Sequence, residues 1–95
     1  MILEQAEFRV RPGAATELEA AFERSRHLLL DAHGCTQASL LRSVDEPDTY
    51  LLQVQWERLE DHVAVFSTTA AAAELRASFE PHCDGPPRVV HYDAG

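Results

Sequence analysis

Apolar and polar residues alternate from the start of the chain. Ile2, Ala6, Phe8 and Val10 recur at even spacing while Gln5, Glu7, Arg9 and Arg11 take the other face, the pattern of a strand with one side buried. Glu4 sits among the apolar set and is the exception to it. Pro12 and Gly13 break the strand, and the period then changes. Leu18, Phe22, Ser25 and Leu29, with Ala15 and Ala21 nearby, trace a helical stripe as far as about Asp31, and Gly34 suits the end of that helix.

A second strand is expected over residues 35–44, closed by a turn at 45–48, "DEPD", where Pro47 has no N–H to donate. In a third strand Tyr50, Leu52, Val54 and Trp56 share one face, and Leu51, Gln53 and Gln55 share the other. Leu59, His62, Val63 and Phe66 return to helical spacing. Ser67, Thr68 or Thr69 can cap a second helix containing "AAAAELRASFE", which Pro81 ends. "DGPP" at 84–87 signals a loop, and "RVVHY" at 88–92 is β-branched enough for a last strand.

Strand, helix, strand, strand, broken helix, strand is the order of an α+β, ferredoxin-like split βαβ unit with a four-stranded antiparallel sheet, a single domain over 1–95. Helices on one side leave the other sheet face bare, and the third strand is apolar on both faces. A second copy of the same sheet is the simplest cover, so a homodimer is expected.

Sixteen acidic residues against eight arginines and no lysine give a net charge of -8, which opposes binding to nucleic acid or anionic membranes. Cys35 and Cys83 form neither a disulfide framework nor a metal motif, and no apolar run suggests a signal peptide or a span. A cytoplasmic setting is the expectation. His27, His33 and His82 have no ligand spacing with one another or with the cysteines, so no metal site is expected.

The segments "AEFRVRPG" at 6–13, "YLLQVQWERLEDH" at 50–62, "AELRASF" at 73–79 and "GPPRVVHY" at 85–92 resemble, in order and spacing, the antibiotic biosynthesis monooxygenase family. That resemblance implies small ferredoxin-like domains paired into dimeric α/β barrels. Within the family the chain is similar to anthrone-oxidising enzymes that use neither metal nor organic cofactor. Their pocket Trp matches Trp56 and their pocket Arg matches Arg76, whereas a pocket Asn falls on Leu52 and a pocket Tyr on His62. The haem-degrading branch needs an Asn, a Trp and a His where this chain has Phe8, Val65 and Leu75, which argues against haem.

The resemblance implies His62, Arg76 and Trp56 as catalytic residues, with Tyr50, Leu52, Phe66, Phe79 and Phe8 forming the substrate wall. His62 titrates near neutrality and is the obvious general base; a fixed Arg charge stabilises an enolate or phenolate. The expected activity is cofactor-free oxidation of an anthrone, quinol or phenol-like substrate by O2 to a quinone. Each residue also has a plainer reading. Trp56 packs a core, Arg76 pairs with Glu80 on a helix surface, and His62 is a half-exposed structural residue. His91, on the last strand, can reach either the pocket or a dimer interface. A non-catalytic dimeric module that binds a small aromatic molecule is the alternative function, favoured by Leu52 in place of Asn.

Overall fold

The computed structural model describes all 95 residues. Its elements are β1 (Ile2–Arg9), α1 (Ala15–Leu30), β2 (Cys35–Arg42), β3 (Thr49–Trp56), a π-helical turn (Asp61–Val65), a 3-10 turn (Phe66–Thr68), α2 (Ala70–Phe79), a second 3-10 turn (Glu80–His82) and β4 (Arg88–Asp93). The strands form one antiparallel sheet in the order β2-β3-β1-β4. This is the ferredoxin-like arrangement that the order of periodicities predicts.

Residues paired across an antiparallel ladder share a face, so the register fixes what meets what. On the covered face Ala6 lies opposite Leu52 and Phe8 opposite Tyr50. Glu4 lies opposite Val54 on one side and His91 on the other. The α1 stripe of Leu18, Ala21, Phe22, Ser25 and Leu29 is buried against this face, and α2 adds Ala72 and Phe79. Phe79 meets the edges of Phe8 and Phe22, with ring centroids 5.2 and 6.5 Å apart, which ties α2 to both β1 and α1. The opposite face carries Leu3, Leu41, Leu51, Val90 and Tyr92 among four glutamines, and Tyr92 is 52% exposed.

Several boundaries differ from the sequence expectation, each for a local reason. β2 ends at Arg42 because the Ser43 hydroxyl accepts from the backbone N–H groups of Asp45 and Glu46, turning the chain and leaving Val44 exposed. β1 ends at Arg9, whose carbonyl accepts from Asp84 N–H at 2.7 Å, while Arg11 N–H donates to His82. The chain here is stitched to the end of the α2 region rather than continuing the β1 ladder. Arg11 therefore leaves the outer face on which alternation had put it.

The second helix is broken as expected, but its first part is a π turn in which Phe66 N–H reaches back to the Asp61 carbonyl. Leu59, which precedes this turn, and Val63, within it, both lie outside the buried stripe and are exposed. Of the three candidate caps Thr69 does the work: its backbone is extended and its hydroxyl accepts from Ala72 N–H at 3.2 Å.

The π turn is anchored by Asp61, which is buried and accepts from Arg58 N–H at 3.1 Å. Its carboxylate packs on Gly34, where a Cβ would lie 2.1 Å from Asp61 Oδ2 and φ is +81°. Gly34→Ala is therefore expected to cost at least ~2 kcal/mol, combining backbone strain with displacement of a buried group. Gly13, at φ +83°, has nothing within 4 Å of a Cβ, so Gly13→Ala should cost only the ~1 kcal/mol of strain. Urea unfolding of the two variants side by side checks this order.

Candidate active site

Between the sheet and the broken helical segment lies a cavity of about 580 Å³, within the range of roughly 300–1,000 Å³ typical of small-molecule sites. Phe8 and Ala6 from β1, Leu52 from β3 and Val89 from β4 form its floor, and Phe66, Leu75 and Phe79 close over them. The polar groups in the lining include Glu4, Arg11, His62, Arg76 and Glu80. Six of the residues singled out from the sequence therefore meet here: His62, Arg76, Leu52, Phe66, Phe79 and Phe8.

Trp56 does not line the cavity, contrary to expectation. It is fully buried, and its Nε1–H donates to Glu4 Oε1 at 2.9 Å, so its one polar donor is already engaged. Its ring lies parallel to that of His62, with centroids 5.4 Å apart and a 10° interplanar angle, and it also abuts Phe66. Trp56 is the backing of the site. It supports His62 from behind and donates its indole hydrogen to the Glu4 carboxylate.

Tyr50 is a second correction. Strand parity places it on the correct face, but Glu19 of α1 covers that end of the sheet and accepts the Tyr50 hydroxyl. It lines a separate groove with Phe22, Arg26 and Arg42. Arg76 behaves in the opposite way. None of the chain's ion pairs includes it, so the plainer alternative of a surface pair with Glu80 is not formed, and Arg76 stands exposed at the cavity.

The sequence does not assign Glu4 or Arg11 to a pocket, and it leaves His91 open between the pocket and a dimer interface. Glu4 is 6% exposed, and the signal for it was its position in the apolar register of β1. Arg11 turns to the cavity once β1 stops, and its Nε–H donates to the Cys83 carbonyl at 3.2 Å. His91 is brought by register to Glu4, and its Nε2 lies 2.8 Å from His62 Nδ1. His62 Nδ1 is also 3.5 Å from Glu4 Oε1. His82 and His27 take no part in this cluster, and His33 instead approaches Asp61 at 3.7 Å.

Burial sets the electrostatics. It lowers the pKa of His62 from 6.5, so the imidazole is neutral at neutral pH and has a lone pair to offer. Burial also raises the Glu4 carboxyl above 4.5, an effect offset in part by the Trp56 hydrogen bond and the nearby His91. No three His, Cys, Asp or Glu side chains converge in a way that could hold a metal ion.

A ferredoxin-like sheet with one apolar cavity, a neutral histidine and an unpaired arginine defines the class of protein. The description of the antibiotic biosynthesis monooxygenase family matches residues 1–83, and the chain belongs to that family. The protein YczJ of Bacillus subtilis (strain 168) is 30% identical over 92 residues, covering 97% of each chain. A crystal structure from Bordetella bronchiseptica bearing the same family description is 33% identical, with a TM-score of 0.95, over 99% of this chain and 96% of that one. SnoaB from Streptomyces nogalater, a cofactor-independent oxygenase, superposes with a TM-score of 0.82 over 99% of this chain and 92% of its own. At 15% identity that likeness is one of fold. No helix is long and apolar enough to cross a membrane.

A raised carboxyl pKa means that the folded state holds its proton more tightly than the unfolded chain does. Stability contributed by Glu4 is therefore complete below about pH 4.5 and is lost as pH rises through the folded value. Gln at this position keeps an oxygen for the Trp56 indole without the buried charge. Glu4→Gln is expected to raise Tm at pH 7, with the gain vanishing near pH 4; thermal unfolding monitored by circular dichroism at both pH values tests it.

Proposed function

We propose that this protein is a cofactor-independent monooxygenase that uses O2 to oxidise an electron-rich aromatic substrate, such as an anthrone, quinol or phenol, to a quinone. The observation that carries the reading is one apolar cavity holding both a neutral histidine and an arginine without an ion-pair partner. A flat aromatic molecule fits the Phe8, Phe66 and Phe79 walls, and Leu52 adds apolar surface where a hydrogen-bonding side chain would have fixed one orientation.

For an anthrone the steps balance as follows. His62 accepts a proton from the acidic CH2 carbon, and the electron pair left behind spreads to the ring oxygen, where Arg76 stabilises the negative charge. The carbanion forms a C–O bond to O2, and the resulting peroxide is protonated. Loss of the second C–H proton with cleavage of the O–O bond gives a carbonyl and one water. Both hydrogens of the CH2 group end in that water, and O2 is the only oxidant. The chain's own contribution is positioning, proton transfer and charge stabilisation in a mostly apolar cavity.

A second copy of the chain is proposed to cover the outer sheet face, where Leu3, Leu41, Leu51, Val90 and Tyr92 would otherwise remain in water. Sedimentation at micromolar concentration is expected to give a dimer, and a monomer there would remove this part of the reading.

An oxygen electrode and a panel of anthrones, quinols and catechols test the activity. A substrate that binds and quenches fluorescence without O2 uptake would favour the reading as a binding module, to which Leu52 also lends itself. With an active substrate, Arg76→Ala is expected to lower kcat by ~10²-fold, as for loss of one group stabilising an oxyanion. His62→Ala should lower it most at low pH, with the difference shrinking as rising pH lets hydroxide or solvent deprotonate the substrate.

A further inference from the structure

The closest polar neighbour of His62 is another histidine. The contact of 2.8 Å between His62 Nδ1 and His91 Nε2 leaves each ring with one outer nitrogen, Nε2 on His62 and Nδ1 on His91. Neither outer nitrogen has a protein partner, and the sole buried side-chain nitrogen or oxygen without a partner is Arg26 Nε. Both outer nitrogens are therefore open, one on a residue that lines the cavity and the other on the edge strand β4.

We propose that His62 and His91 form a proton relay between the cavity and the solvent side of β4, with Glu4 as the positioning residue that sets its direction. The proposal rests on the reading of His62 as the base. A hydrogen bond between two neutral imidazoles holds one proton, donated by either ring. Only donation from His62 Nδ1–H leaves a lone pair on His62 Nε2 for the substrate. Glu4 Oε1, 3.5 Å from Nδ1, favours a proton there. Trp56 holds that oxygen with its indole and stacks beneath the imidazole, so the carboxylate and the ring are fixed by one side chain.

The surroundings of His62 favour export of the proton over its storage. β1 presents Glu4, β4 presents His91, and β3 presents only the indole of Trp56. The cavity also holds Arg11 and Arg76, with Glu80 beside them. Burial disfavours an imidazolium at this position, and passing its Nδ1 proton to His91 Nε2, 2.8 Å away, relieves this. In that sequence the substrate C–H breaks as the Nε2–H bond forms. The Nδ1 proton moves to His91 Nε2, and the His91 Nδ1 proton passes to water. His62 is left neutral with Nε2–H toward the cavity, a donor for the peroxide oxygen that forms next. Return of a proton from water through His91 resets the pair, in keeping with an overall reaction that releases none.

Two measurements test the relay separately from the activity. Long-range 1H–15N spectra of the ligand-free protein with labelled histidines should show His62 as the Nδ1–H tautomer, and Glu4→Gln should weaken that bias. An Nε2–H tautomer in the wild type would overturn the proposal, whether or not any substrate is known. With anthrone as the probe, His91→Gln should lower kcat by ~10²-fold in dilute buffer with KM unchanged, and added imidazole should restore the rate. Unimpaired turnover of His91→Gln in dilute buffer would equally overturn it. Wild-type protein that takes up no O2 with any anthrone, quinol or catechol counts against the oxygenase reading, and the tautomer then decides the relay alone.

Discussion

A carboxylate set into the buried face of the central strand needs partners, and the arrangement of the site follows from which partners it finds. Glu4 sits in the β1 register between Ile2 and Ala6, where an apolar side chain would have been cheaper to bury. Trp56 reaches it diagonally across the β1–β3 ladder and donates its indole hydrogen. With the ring thus oriented, His62 has a flat surface to lie on, and His91 is delivered opposite Glu4 by the β1–β4 pairing. One unfavourable burial therefore organises side chains from three strands and from the π turn.

The same cluster separates structure from chemistry within the cavity. Trp56 and Phe66 are committed to packing, whereas His62, Arg76 and Arg11 keep polar atoms toward the open volume. The walls are mostly apolar, and the cationic groups belong to a chain of net charge -8. Arg11 and Arg76 share the lining with Glu4 and Glu80, so a negative charge forming inside the cavity is stabilised by its closeness to a guanidinium and not by the field of the whole molecule.

The fold was legible because its signals are periodic: alternation in β1 and β3, the α1 stripe and the Pro and Gly breaks each act over many residues. The site was legible only where a side chain's direction follows from one element. Strand parity correctly gave the face of Tyr50 and Trp56, yet parity cannot say that Glu19 covers the first or that Glu4 engages the second. Arg11 was misplaced because alternation was carried two residues past the end of β1, and that end is set by contacts with residues 82–84. Glu4 was visible as an anomaly. Its meaning needed the ladder, which pairs positions far apart in sequence.

The π turn at Asp61–Val65 gives the site a dependence of another kind. A π turn is an α-helix with one residue more than its path requires, and here the surplus falls in the segment that carries His62. Its start is pinned by Asp61 against Gly34 and its end by Phe66 in the core. Between two fixed points the angular position of His62 is decided by how many residues span them as much as by which residues they are. Loss of one residue from this segment would leave every side chain of the cluster in the chain and still turn the imidazole away from Trp56, so the site is encoded in the length of the segment as well as in its letters.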